Sequence, residues 1–178
     1  MKDVTWIVLD VDGTLTDGKI IYDDKGGETK AFHVADGLGI VMAQSMGLRI
    51  AILSGRSSTA VARRMAELKV TQIVQGAGDK AAKMRALMRE HNLMPEQIAY
   101  VGDDLNDLPA FDVAGVRIAV ANADALLLAR ADYVTPRAGG AGAVRDAIDE
   151  ILRRQGRYDD AVAQYLRTSA ANAATPSQ

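Results

Sequence analysis

The chain has 178 residues, with 21 basic and 23 acidic side chains and a formal net charge of -2, so it lacks the excess positive charge that grips a phosphate backbone by counterion release, and a nucleic-acid partner is not expected. It contains no cysteine, which excludes disulfides, thiolate chemistry and zinc-cysteine sites; the start MKDVTW has no secretory pattern and no apolar run approaches a membrane span, so a cytoplasmic protein with no membrane partner is expected. A hydrophobic content of 48% with only 4% aromatic residues points to a core of Val, Ile, Leu, Ala and Met, as in helix-covered parallel sheets, and the length suits one domain.

In chain order, short apolar runs of β type alternate with helix-length periodic segments, the pattern of a βαβ parallel sheet. The runs at 4–9, 49–53, 72–75, 98–101, 117–120 and 132–134 are predicted strands. Helices are predicted at about 37–46, 57–68, 79–92, 106–114, 123–130 and 142–154, several beginning beside Ser, Asp or Asn in capping positions. The fold class is therefore α/β, a doubly wound, mostly parallel, Rossmann-like sheet in a domain spanning 1–155. One segment breaks the alternation: residues 19–22 and 28–34, joined by DDKGG, predict a β-hairpin flap inserted after the first strand. From Gly156 onward the residues are small and polar, and a flexible or docking tail is expected over 156–178.

In a doubly wound sheet, ligands gather outside the carboxyl ends of the strands. Four predicted strands send polar groups to that edge: Asp10 and Asp12 after the first, Ser54, Gly55 and Arg56 after RIAIL, Lys80 beyond QIVQ, and Asp103, Asp104 and Asp107 after IAYV. Charge at the end of a buried strand is costly unless it has a task. The chemistry open to this set is phosphoryl transfer. A carboxylate at Asp10 can attack phosphorus, and Asp12 can protonate the departing alkoxide and then deprotonate water. A cation must separate the attacking carboxylate from the phosphate; Asp10, Asp103 and the Asp12 backbone carbonyl are oxygen ligands suited to Mg²⁺. Lys80 can screen the same charge and Ser54 can hydrogen-bond a phosphoryl oxygen.

Plainer roles stand beside these. Asp103 could begin a helix, Ser54 could cap the helix from 57, and Asp104 and Asp107 could be first-turn acids. Asp107 is as well read as an orienting partner of Lys80 as a metal-related group, and Asp104 as a supporting residue. His33 reads as flap packing, His91 as a surface residue near a helix C-terminus, and Met42, Met46, Met65, Met84 and Met88 as core or interface filling.

In this order, DVDGTLTDG, LSGR, the lysine of QGAGDK and GDDLND resemble the four motifs of the haloacid-dehalogenase-like phosphatases over residues 4 to about 155. The resemblance implies Asp10 as nucleophile, Asp12 as general acid/base and Thr14 as a supporting hydroxyl at the substrate. It also implies Ser54 and Lys80 as the phosphate-binding pair, and Asp10, Asp12 and Asp103 as the Mg²⁺ ligands. DGKIIYDDKGGETKAFHVADGLGI, LSGRSSTAVARRMAELKV and YVTPRAGGAGAVRDAIDEIL are similar to the 3-deoxy-D-manno-octulosonate 8-phosphate phosphatases, which lack a large cap domain and close the site with a hairpin flap and a homotetrameric assembly. That likeness implies a phosphorylated sugar acid as substrate, with Arg56 and Arg64 contacting it, Asp36 and Gly37 at the flap base or a subunit boundary, and a tail able to reach a neighbouring site. A solvated helix face for Arg64 and a helix cap for Asp36 are the competing readings.

Ala35 and Ala141 stand where that family often carries arginines, which weakens the substrate assignment and leaves nine-carbon ulosonate 9-phosphates as the alternative. A phospho-aspartate receiver module shares the layout and a lysine, but places its acidic pair ahead of the phosphoacceptor strand, whereas DVDGT sets both acids around one turn. An inactive scaffold of the same fold is disfavoured by the intact Asp10, Asp12, Lys80 and Asp103.

Overall fold

A computed structural model describes residues 1–174. Six strands form one parallel sheet: β1 (Trp6–Leu9), β4 (Arg49–Leu53), β5 (Gln72–Val74), β6 (Ile98–Gly102), β7 (Val116–Ala119) and β8 (Tyr133–Val134), in the spatial order β5-β4-β1-β6-β7-β8. The α/β, doubly wound expectation holds. The flap is a separate antiparallel pair, β2 (Ile21–Tyr22) and β3 (Glu28–Thr29).

The sheet order fixes where chemistry belongs. From β1 the chain adds β4 and β5 on one side, then returns to place β6, β7 and β8 on the other, so the order reverses at β1. Leu9 lies beside Ile52 of β4 and Val101 of β6. The residues just beyond, Asp10, Ser54 and Asp103, therefore leave three adjacent strands at one level, at the switch point where a crevice opens. Continuous apolar strands make this possible: Ile7, Leu9, Ile98, Ala99, Val101 and Ile118 have no measurable exposure, as expected for strands covered on both faces.

The helices are α1 (Val34–Ser45), α2 (Thr59–Glu67), α3 (Lys80–His91), α4 (Leu108–Phe111), α5 (Ala125–Arg130), α6 (Ala143–Arg154) and α7 (Tyr158–Ala174). Several boundaries differ from the sequence reading. The second flap strand ends at Thr29 rather than 34, because His33 caps α1 by accepting a hydrogen bond at Nδ1 from the Ala35 backbone N–H. α2 begins at Thr59, with Ser58 rather than Ser54 in the capping position. The helix expected at 106–114 is a 3₁₀ turn at Leu105–Asp107 followed by the single turn α4.

Two expectations need larger correction. The segment after Gly156 is a helix, α7, through Ala174. Ala161 is fully buried, Val162 and Tyr165 pack against the core, and the Arg153 guanidinium lies 4.3 Å over the Tyr158 ring. The small residues suggest a flexible or docking tail, but most are alanine, the best helix former, and the aromatic residues anchor the first turns. Residues 175–178 of the expected tail lie outside the described residues. His91, read as a surface residue, is half-buried against Trp6 with ring centroids 4.5 Å apart. Met42, Met65 and Met84 are buried, and Met46 and Met88 pack at the core's edge.

Candidate active site

The chain leaves β1 through a tight loop. The Val11 carbonyl accepts hydrogen bonds from the backbone N–H groups of Thr14, Leu15 and Thr16. Such a turn needs positive φ at its second position, and Gly13 supplies it at +95°. A Cβ there would also stand 1.9 Å from Asp103 Oδ2. Glycine is thus required twice over, for the turn and for the approach of Asp103. Thr14 is fully buried and its hydroxyl donates to Asp103 Oδ1 at 3.2 Å. Thr14, expected among the substrate-binding residues, here holds a carboxylate of the cluster. A second loop clamps the first, for Gly140 N–H donates to the Thr14 carbonyl, and a Cβ on Gly139 would lie 1.6 Å from the Gly13 carbonyl oxygen.

Lys80 opens α3 and reaches back beneath this loop, its side chain only 3% exposed. Its ammonium donates to Asp10 Oδ1 and to Asp107 Oδ1, each at 2.6 Å. Asp107 Oδ1 also accepts from the Tyr100 hydroxyl at 2.5 Å, while Oδ2 accepts from the backbone N–H groups of Asp103 and Asp104. Both Asp107 oxygens are therefore committed to the protein, which favours the orienting reading over the metal-related one. Burial pushes the Tyr100 hydroxyl well above its usual range, and the Asp107 carboxylate adds to the effect, so it remains a donor. Asp104 is exposed and caps the 3₁₀ turn through the Leu105 N–H, a supporting role.

Oxygen atoms of Asp10, Asp103 and Asp107 lie within 4.8 Å of one another. Three carboxylates face one ammonium, so the ionised cluster carries a net charge of -2. The imbalance works against the ionised form of its members. Burial first, then the Asp107 carboxylate, raises Asp10 to about 8 and Asp103 to about 6. A divalent cation restores neutrality, and donors that are all oxygen suit Mg²⁺. Asp10 and Asp103 would hold it, with the Asp12 backbone carbonyl between them in sequence. The Asp12 side chain, read as the acid/base rather than as a ligand, lies outside the cluster, its carboxylate held by the flap.

This charge balance predicts how stability follows pH. An acid whose folded pKa is raised contributes stability at low pH that is lost as pH climbs from its ordinary value toward the folded one. For Asp10 that interval runs from 3.8 to about 8. Metal-free protein is therefore expected to melt at lower temperature near about pH 8 than near about pH 5, and Mg²⁺ should raise the melting temperature more at the higher pH. Thermal scans with EDTA and with Mg²⁺ check this, and a Mg²⁺ effect independent of pH would contradict it.

Asp12 pairs with Lys30, and Arg56 Nε stands 3.8 Å from its Oδ2. Glu28 Oε1 lies 3.3 Å from Lys30 Nζ and 3.1 Å from Arg56 Nη2, and Arg56 also donates to the Tyr22 hydroxyl. Ser54 is buried and its Oγ accepts from the Arg56 N–H at 3.3 Å, which leaves its own proton for a ligand; Gly55 is exposed beside it. Asp10, Asp12, Ser54, Arg56, Lys80 and Asp103 thus gather as expected. Arg64 does not join them: it pairs with Glu67 at 3.1 Å, and its guanidinium covers Gly37. Asp36 is buried and caps α6 across the fold, accepting from the Arg145 N–H at 2.8 Å where the capping position itself is Gly142. Sequence reading missed Lys30, Glu28, Tyr22 and Tyr100. Only Tyr100 left a trace, a hydroxyl in a run otherwise apolar.

Residues 69–148 match the family profile described as haloacid dehalogenase-like hydrolase. The chain is 44% identical over 165 residues to the 3-deoxy-D-manno-octulosonate 8-phosphate phosphatase KdsC of Escherichia coli K12, covering 93% of this chain and 88% of that protein. It belongs to the 3-deoxy-D-manno-octulosonate 8-phosphate phosphatase family. Among solved members of that family, the Moraxella catarrhalis phosphatase in complex with magnesium, phosphate and KDO superposes with a TM-score of 0.89 at 42% identity, covering 92% of this chain and 94% of that one. The cobalt-bound Haemophilus influenzae enzyme gives 0.87 at 40% identity, covering 93% and 98%. The family membership makes the chain a phosphatase with Mg²⁺ as its cofactor, and the carboxylate cluster has the donors to hold that ion.

Proposed function

We propose that the chain hydrolyses 3-deoxy-D-manno-octulosonate 8-phosphate to 3-deoxy-D-manno-octulosonate and phosphate through an aspartyl-phosphate intermediate. The observation that carries the reading is the pocket of three carboxylates and one ammonium at the end of β1, in a chain 44% identical to a phosphatase of that substrate. Asp10 attacks phosphorus, forming a carboxylate-phosphorus bond as the ester oxygen leaves with its electron pair. Asp12 gives a proton to that oxygen, then takes one from the water that cleaves the acyl phosphate and frees Asp10. Lys80, held by Asp107, keeps positive charge on the line of attack, and the Ser54 hydroxyl donates to a phosphoryl oxygen. When bound, Mg²⁺ neutralises the phosphate and the attacking carboxylate so that they can meet.

Phosphate release with Mg²⁺ should favour this eight-carbon substrate over nine-carbon ulosonate 9-phosphates and hexose phosphates. Preference for a nine-carbon acid would keep the mechanism and assign the missing arginines at Ala35 and Ala141 to specificity; release from none would overturn the reading. Thr14→Val tests the metal assignment. It removes the hydrogen bond that fixes Asp103, and it is expected to raise the Mg²⁺ concentration for half-maximal rate by about 10-fold or more, with the rate at saturating Mg²⁺ much less changed.

The assembly proposed is a homotetramer. The flap exposes Ile20, Ile21 and Tyr22, and Val34 at the start of α1 is 81% exposed, which supplies apolar surface for a second copy. Light scattering gives the mass directly, and a monomer would refute it. A sugar phosphate that also carries a carboxylate does not cross a membrane unaided, which supports a cytoplasmic location.

A further inference from the structure

We propose that Lys30, carried in on the flap, is a positioning residue that aims the Asp12 carboxylate at the leaving oxygen and keeps it out of the metal cluster. The inference rests on the phosphatase reading and adds a residue to it.

Four side chains form a closed square of alternating charge at the mouth of the site: Asp12, Lys30, Glu28 and Arg56. The core contributes Asp12 and Arg56; the flap contributes Glu28 and Lys30. The two sides of the square are unequal. Arg56 is 44% exposed and stands 3.8 Å from Asp12, at the limit of an ion pair, whereas the Lys30 side chain has no exposure and bonds Asp12 Oδ1 directly. An ammonium buried to that degree is not a solvated surface charge, and its second partner, Glu28, sits on the same hairpin to keep it in place.

Asp12 needs such a partner. It lies two residues from Asp10 on a loop whose other carboxylates, Asp10 and Asp103, converge on one point, yet its own oxygens lie outside that group. A side chain with two ordinary rotations about its Cα–Cβ and Cβ–Cγ bonds can turn toward the metal or toward the leaving group. The Lys30 bond selects the second orientation. It is also made only when the flap lies over the loop, so closure of the hairpin and alignment of the acid/base are one event.

Comparing leaving groups tests this. The ratio kcat/KM reports steps through departure of the leaving group, which needs a proton for a sugar alkoxide and little help for p-nitrophenolate. Asp12→Asn is the reference: it should lose far more on the sugar phosphate than on p-nitrophenyl phosphate. A uniform loss in that variant would overturn the acid/base reading itself. With the reference in place, Lys30→Met is expected to lose about 30-fold or more on the sugar phosphate and under about 3-fold on p-nitrophenyl phosphate, a part of the roughly 10²–10⁴-fold attributed to a positioned acid. Lys30→Arg should restore part of the difference, and adding Lys30→Met to Asp12→Asn should cost little more. Equal losses on both substrates, or losses that add fully to those of Asp12→Asn, would refute the proposal. If Lys30→Met fails to fold, Lys30→Gln gives the same comparison.

Discussion

Asp10→Asn is expected to lower kcat by about 10⁴-fold or more, the scale seen when a nucleophile acting within a catalytic unit is removed, and at the same time to raise the melting temperature of the metal-free protein. The two effects have one cause. Asp10 is buried, faces Asp107 and Asp103, and shares its single countercharge, Lys80, with Asp107. Its charge is unfavourable in the folded state until a cation arrives, which is what a pKa raised to about 8 expresses. Asparagine keeps the shape and an oxygen for the Lys80 hydrogen bond while removing that charge. The gain should be largest near about pH 8 and vanish below about pH 4, where the native carboxyl is protonated in both states. Stopped phosphate release together with thermal scans in EDTA measure both. A variant with normal turnover would remove Asp10 from the nucleophile's position; an inactive variant with a lowered melting temperature would contradict the electrostatic account.

The opposite variant should fail on both counts. Lys80→Met leaves Asp10 and Asp107 buried with no ammonium between them, and loss of one partner from a buried ionic group costs about 3–5 kcal/mol. The loss is expected to be full at high pH and to shrink as acid neutralises the carboxylates. Turnover should fall by about 10²–10³-fold even where the protein is folded, because positive charge aimed at the transferring phosphoryl group is gone. Lys80→Arg should recover little of this, since both 2.6 Å bonds are made to one nitrogen, a point-like geometry that a planar guanidinium fork does not reproduce. Denaturant melts across pH, with rates measured where the variant is folded, decide the matter. Stability equal to the parent at high pH would mean that Lys80 is not the countercharge.

The parallel sheet and most of the site were legible in the sequence because both depend on local rules. Continuous apolar runs mark buried parallel strands, and acids placed directly after such runs must lie at strand ends. Asp10, Lys80 and Asp103 could be read in that way, since each sits within a few residues of a strand or helix boundary. The flap lysine could not. Lys30 meets Asp12 across 18 residues through a hairpin whose inward face is set by how it folds over the crevice, and Glu-Thr-Lys reads equally well with either face inward. Thr14 was legible as important, but its partner lies 89 residues away, and only the tertiary structure turns its hydroxyl from the substrate to Asp103. Arg64 failed for a related reason. Its helix was expected, but only the tertiary structure shows that it pairs with Glu67 and lies over Gly37. The tail misled through composition, since alanine-rich polar sequence suits both a disordered segment and a helix that finds a surface.

The clamp of Gly139 and Gly140 on the loop at residues 13–17 sets a timetable for the protein's own synthesis. The loop carrying Asp10 and Asp12 is synthesised well before the segment that locks it, which comes about 120 residues later, a wait of about 6–25 s at ordinary elongation rates. During that interval the nascent chain carries its reactive carboxylates without the brace that gives them a defined geometry. A braced pocket thus arrives late, and a prematurely terminated product ending before Gly139 would hold every acid of the proposed mechanism and still lack the brace on their loop.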